Sequence, residues 1–64
     1  MATVELYSNA NCMPTGQELP REFHPNFYRA LAECEHVAGR EASFVSQNVA
    51  IVPFSKDLRL VVMV

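Results

Sequence analysis

Along this chain, the spacing of hydrophobic residues changes from a strand period to a helix period and back. In the middle, five apolar residues recur at i, i+3, i+4, i+7 and i+11, which places them on one face of a helix: Phe27, Ala30, Leu31, Cys34 and Ala38. Pro25 suits the first helical position because it has no N–H to leave unpaired. Gly39 suits the left-handed residue that ends a helix. The pattern therefore predicts a helix from about Pro25 to Ala38.

Segments with the two-residue period of β-strands lie on both sides of this helix. Thr3–Tyr7 alternates near the start of the sequence, and Leu58–Val64 alternates at its end. Between the helix and the last strand, Ala42–Gln47 and Val49–Phe54 form either one bent strand or the two strands of a hairpin. Pro53 has no N–H to donate to a neighbouring strand, so the strand that contains it should end at a sheet edge or at a bulge.

This order of elements predicts an α+β fold, β-α-β-β-β, in which one main helix packs on a small antiparallel sheet of three or four strands. Residues 8–16 collect turn formers and are expected to form a loop. The chain, residues 1–64, is predicted to be a single small domain. A domain of this size buries only about 60% of the surface of its unfolded chain. It should therefore be marginally stable alone and would gain from a partner or a second copy.

The place of the last strand in the sheet decides whether it can pair with another chain. At an edge, its unpaired backbone would be a template for a second strand. The protein would then be a self-associating structural module, a homodimer formed through four residues of this strand: Leu58, Leu60, Val62 and Met63. At the centre of the sheet, the strand would instead be buried on both faces. The hydrophobic pattern leaves both placements open.

Composition and charge narrow the class of protein. The sequence is 50% hydrophobic and 19% charged, which is typical of a globular chain. The net charge is −2 and there is no basic run, so we expect no direct binding to nucleic acid. The longest apolar run, Leu60–Val64, is far shorter than the ~20 residues of a membrane helix, and the sequence does not open like a secretory signal. We expect a cytoplasmic protein without membrane contact, with its two cysteines as thiols.

No group of residues has the spacing of a catalytic or metal site. Cys12, His24, Cys34 and His36 could be imagined as zinc ligands, which usually come in close pairs. Cys34 and His36 are two apart, and on a helix such residues point about 200° apart, so they cannot share an ion. Nucleophile-elbow, phosphate-loop and HExxH motifs do not occur. We expect no enzymatic activity and no metal or cofactor.

The segment Val4–Thr15 places Cys12 soon after a strand. It resembles the opening of glutaredoxins and thioredoxins, where the cysteine lies at a helix start and the helix dipole stabilises its thiolate. Thr15 stands where that family has its second cysteine. The resemblance implies a thiol-redox protein that uses Cys12, which is the remote alternative.

An acidic, aromatic surface is the most interpretable feature on the polar side of the helix. Tyr28, Glu33 and Glu35 lie on the helix and Glu41 follows it. Carboxylates around an aromatic side chain suit a basic patch on another protein, because the charges steer the encounter and the ring anchors it. We predict that these four residues bind protein. The alternative is a solvated helix face that only keeps the chain soluble.

As a whole, the sequence is short and acidic, has a compact α+β pattern and carries no catalytic motif. In this profile it resembles the small phage-encoded inhibitors of bacterial defence, of which anti-CRISPR proteins are the largest group. The resemblance implies a non-enzymatic inhibitor inside a bacterial host cell. Such a protein docks on the basic surface of a larger nucleoprotein complex and blocks access of nucleic acid. The self-associating module remains the competing hypothesis.

Overall fold

A computed structural model describes all 64 residues of the chain. The elements, in order, are β1 (Thr3–Ser8), α1 (Phe27–Ala38), β2 (Ser43–Ser46), β3 (Val49–Pro53) and β4 (Leu58–Met63). The helix packs on one face of a four-stranded antiparallel sheet, so the predicted α+β fold and its β-α-β-β-β order are confirmed.

The last strand lies inside the sheet, whose strand order is β1-β4-β3-β2. β4 is antiparallel to β1 on one side and to β3 on the other, so both sides of its backbone are paired. Of the two placements left open, the central one is correct and the edge is wrong. Leu60 and Val62 are buried in the core, and Leu58 and Met63 are half-buried. Self-association through this strand would therefore require the protein to open its own sheet.

The core lies between α1 and the inner strands. Nine buried residues form one apolar cluster there, contributed by β1, the helix, β3 and β4: Leu6, Phe27, Ala30, Leu31, Cys34, Ala50, Val52, Leu60 and Val62. The helical stripe predicted from the sequence supplies four of them. On the opposite face of the sheet, which no helix covers, Val61 is also buried. β4 is thus buried on both faces.

The helix begins at an asparagine cap rather than at the proline. Asn26 has extended backbone angles, and its side-chain oxygen accepts a hydrogen bond from the Arg29 N–H at 3.2 Å. Asparagine is among the best residues for this position because its side chain satisfies a backbone donor that the first helical turn leaves free. Pro25 therefore precedes the cap, and its prediction as the first helical residue is wrong. Gly39 ends the helix in the left-handed region with φ 70°, as predicted.

Residues 42–54 form the two strands of a hairpin, which settles the alternative left open by the sequence. The β2–β3 register shifts between Phe44 and Ser46, so Val45 has no partner on β3. Pro53 lies beyond the last β2–β3 pair, which joins Ser43 to Ile51. Its missing N–H therefore leaves no gap in that ladder, although β3 is an interior strand.

The long connection from β1 to α1 is held against the outer edge of β1. The Thr15 N–H donates to the Leu6 carbonyl at 2.9 Å, and the Ser8 N–H donates to the Met13 carbonyl at 3.0 Å. An isolated bridge also joins Tyr7 to Pro14. The connection therefore covers the second half of this edge, and only β2 presents a strand edge that no other backbone contacts.

Leu60→Ala should lower the free energy of unfolding by about 2–5 kcal/mol, because it leaves a cavity in the core on the central strand. Val64→Ala is the control, since Val64 is 65% exposed, and it should change stability by no more than about 0.5 kcal/mol. Urea unfolding followed by circular dichroism measures both. Equal stability of the two variants would contradict a central, buried β4.

Candidate functional site

The two glutamates predicted to bind together lie on opposite sides of α1. Glu33 accepts a hydrogen bond from the His24 N–H at 2.7 Å and forms an ion pair with Arg21 at 3.4 Å. Glu35 accepts a hydrogen bond from the Ala42 N–H at 2.7 Å. Residues two apart on a helix point about 200° apart, so each carboxylate reaches a different neighbouring segment. The structure does not bring Glu33 and Glu35 into one surface.

These contacts give both carboxylates a role inside the fold. Glu33 fastens the segment that enters the helix, and Glu35 fastens the segment that leaves it; both side chains are half-buried. Hydrogen bonds to a charged acceptor are stronger than neutral ones, so both attachments stabilise the chain near the helix. Glu33 pairs with Arg21 and not with Arg29, which lies four residues before it on the helix.

The most exposed aromatic side chains form a row from α1 to the free edge of the sheet. Tyr28 is 69% exposed and Phe44 is 55% exposed. The buried ring of Phe27 stands between them, in edge contact with Tyr28 at 5.3 Å and with Phe44 at 6.1 Å between ring centroids. We call Phe27, Tyr28 and Phe44 the aromatic edge. Val45, the next residue on β2, is also exposed, at 64%.

Of the aromatic edge, only Tyr28 was predicted from the sequence to lie on a binding surface. Phe44 and Val45 were assigned to a strand without a surface role, because the order of strands in the sheet was not known. One signal in the sequence could have identified them. Residues 42–54 contain no charged side chain, and a strand in such a segment has none of the charges that usually protect a sheet edge.

An open depression of about 510 Å³ lies between the end of α1 and the start of β2. It is lined by charged and polar groups with one apolar residue: Glu35, His36, Gly39, Arg40, Glu41 and Ala42. The structure thus brings Glu35 and Glu41 together, on the side of the helix where Tyr28 also lies, since Tyr28 and Glu35 are seven residues apart. Glu41 is exposed. Three of the four predicted protein-binding residues therefore share one side of the molecule, and Glu33 does not.

The two cysteines are free and lie in different environments. Cys34 is fully buried on the helical stripe. Burial raises the pKa of its thiol to about 11, with a further rise from Glu33 and an opposing effect of Arg21. Cys12 is exposed in the loop after β1, with φ 56°. The helix begins only at Phe27, so Cys12 does not have the helix-start position of the cysteine in thioredoxin-like proteins.

The residues considered as zinc ligands are dispersed in the fold. No three side chains of histidine, cysteine, aspartate or glutamate come close enough to hold one metal ion. The helix is too short and too polar to cross a lipid bilayer.

No family model, curated protein or solved structure matches the chain. The function is therefore inferred from the geometry of this molecule alone.

Glu35→Ala should lower the free energy of unfolding by about 1–3 kcal/mol, because it leaves the part-buried Ala42 N–H without its acceptor. Glu41→Ala is the matched control, since it also removes one carboxylate beside the same depression but breaks no hydrogen bond within the protein. Its effect should stay within about 0.5 kcal/mol. Urea unfolding compares the two variants, and equal losses would contradict the role of Glu35 as a fastening group.

In the folded protein, only Cys12 should react promptly with a thiol reagent at pH 8, because Cys34 is buried and its pKa is raised to about 11 from 9.0. A raised thiol pKa favours the neutral form in the folded state. The contribution of the neutral Cys34 thiol to the free energy of unfolding is therefore complete below pH 9, and it decreases as the pH rises toward 11. In Cys34→Ala, the free energy of unfolding should depend less on pH in this range. Prompt reaction of two thiols in native protein would contradict this assignment.

Proposed function

We propose that this chain is a non-enzymatic binding protein that docks on a larger protein through the aromatic edge. The observation that carries the proposal is the exposure of Tyr28 and Phe44, which are joined by the buried ring of Phe27. Tyrosine and other large aromatic side chains dominate the energy of protein interfaces, because they bury much apolar area at a small cost in side-chain entropy. A face that serves only solubility would carry polar side chains in these places.

The carboxylates on the same side of the helix as Tyr28 indicate the charge of the partner. Glu41 is exposed and has no hydrogen bond within the protein, and Glu35 lines the same depression. Arg40 also lines it, so the local charge is mildly negative rather than strongly so. A basic surface on the partner suits this arrangement, with charge setting the association rate and the aromatic rings supplying the binding energy.

More specifically, the protein would be an inhibitor of the anti-CRISPR type, encoded by a phage or a mobile element. It would cover a basic surface of a bacterial defence complex and so block access of nucleic acid. The net charge of −2 is small for a mimic of DNA, and an aromatic anchor does not need a high charge. A standard interface takes about 800 Å² from each partner, which is a little under one fifth of the 4356 Å² of this chain.

Tyr28→Ala should weaken inhibition by ~30-fold or more, the loss expected from removal of a central aromatic anchor worth about 2 kcal/mol. The assay measures binding of labelled nucleic acid by purified bacterial defence complexes with increasing amounts of this protein. Met13→Ala is the control, because Met13 is 59% exposed and lies in the loop after β1. It should inhibit like the wild type.

Glu41→Lys should slow association with the same complex and reduce the dependence of the association rate on salt. Two results would contradict the proposal. Either no defence complex loses nucleic-acid binding in the presence of the protein, or Tyr28→Ala inhibits as strongly as Met13→Ala. The second result would leave an inhibitor that uses another surface.

A further inference from the structure

The outer edge of β1 has a gap between two places where other segments already bond to it. At one end, the Ala2 N–H donates to the Pro25 carbonyl at 2.8 Å, and at the other the Thr15 N–H donates to the Leu6 carbonyl at 2.9 Å. Backbone groups point alternately to the two sides of a strand. Val4, midway between Ala2 and Leu6, therefore also directs its N–H and carbonyl away from β4 and into the gap.

Four backbone groups in this gap have no hydrogen-bond partner in the protein. They are the Ala2 carbonyl, the N–H and the carbonyl of Val4, and the Leu6 N–H. Leu6 is buried, and Ala2 and Val4 are half-buried. Backbone groups in such places are normally paired, so the gap can accept a further hydrogen-bonding segment.

The gap exists because the connection after β1 turns away at Gly16. The bridge between Tyr7 and Pro14 begins an antiparallel pairing with β1, and three more residues of that pairing would bring Gln17 opposite Val4. Gly16 instead has φ 76°, in the left-handed region that favours glycine. The chain leaves the edge there, and the groups of Val4 stay free.

A cavity of about 240 Å³ lies where the connection diverges from β1. Two of the residues that line it, Val4 and Leu19, are half-buried apolar residues packed against the core. Glu5 is the only charged residue in its lining, and it is exposed and forms no ion pair. The cavity is smaller than the about 300–1,000 Å³ of small-molecule sites, so its occupant is short.

We propose that a short extended peptide binds in this gap as a parallel strand of three residues, apolar in the middle and basic in the third place. In a parallel pairing, Val4 bonds to the two residues that flank its neighbour. Its N–H donates to the first peptide carbonyl, and its carbonyl accepts from the third peptide N–H. The Ala2 carbonyl accepts from the first peptide N–H, and the Leu6 N–H donates to the third peptide carbonyl. All four free groups are then paired.

An antiparallel peptide does not match the free groups. Opposite Val4 it would pair with that residue alone, because its next pairs require the Ala2 N–H and the Leu6 carbonyl. Pro25 already accepts from Ala2, and the Leu6 carbonyl already accepts from both the N–H and the hydroxyl of Thr15. The same bonds limit a parallel peptide to the length of the gap.

The side chains around the gap determine the composition of the peptide. The middle residue lies opposite Val4 and on the same face of the sheet, where Leu19 also packs on the core, so an apolar side chain fits. The third residue lies opposite Glu5, and opposite charges across neighbouring strands are favourable. Adding a strand to a sheet edge is a common mode of peptide recognition. This site is on the opposite edge of the sheet from β2 and does not depend on the docking proposed above.

The test is an NMR titration of the isotope-labelled whole chain with acetyl-Ala-Leu-Lys-amide up to about 10 mM, a range that reaches weak affinities. The amide signals of Val4 and Leu6 should move most, because these N–H groups gain acceptors. Those of Thr3 and Glu5 should move less, since both residues face β4 in the ladder. Absence of saturable shifts overturns the proposal, and so do shifts confined to β2.

Two N-methylated peptides test the parallel register. Methylation of the lysine backbone nitrogen removes the donor to the Val4 carbonyl and should lower the affinity by about tenfold or more. Methylation of the leucine nitrogen is the matched control, because the middle N–H points away from β1, and this peptide should bind like the parent. The reverse order would indicate antiparallel pairing and overturn the proposal, as would equal binding of the two peptides.

Glu5→Gln should weaken binding of the peptide by up to about fivefold, because it removes the charge opposite the lysine. Glu18→Gln is the control, since Glu18 is exposed and does not line the cavity, and it should bind like the wild type. Equal losses in the two variants would indicate general attraction between an acidic protein and a basic peptide, and would overturn the assigned site. Tyr28→Ala should bind the peptide like the wild type, so the two proposals can fail separately.

Discussion

The packing of α1 onto β3 and β4 is the contact on which the rest of the structure depends. Ala30 and Cys34 are fully buried where the helix meets the sheet, opposite Val52, Leu60 and Val62. Small side chains on the helix permit this close approach, and the dense contact supplies much of the burial available to so short a chain. Glu33 and Glu35 then attach the two flanking segments to the sides of the helix.

The same packing leaves the surface that we propose for docking exposed on the β2 side of the sheet. The helix contacts β3 and β4, while β2 lies one strand farther out and remains exposed along its length. Phe27 reaches from the helix to Phe44 and partly fills the gap, but Tyr28, Phe44 and Val45 stay accessible. The docking that we propose would use this exposed surface.

The helix and the strands could be predicted from local sequence patterns. The order of the strands and the contacts of the glutamates depend on residues that are far apart in the sequence. The helical stripe and Gly39 follow from spacing and backbone preference within one segment, so the sequence was sufficient for them. The order of strands depends on pairing between residues far apart, such as Leu6 with Leu60, and no single segment encodes it. The geometry that separates Cys34 from His36 separates Glu33 from Glu35 equally, so the division of the acidic pair was predictable. The hydrogen bonds to His24 and Ala42 were not, because they join the helix to irregular segments.

Amide hydrogen exchange of dilute protein, followed residue by residue by NMR, tests the central claim that β2 is the open edge and β4 the protected centre of the sheet. The account predicts slow exchange for Leu60, Val61 and Val62, whose strand is paired on both sides. It predicts much faster exchange for Phe44 and Val45 on β2. Equal protection of the two strands, or stronger protection of β2 at low concentration, would contradict it.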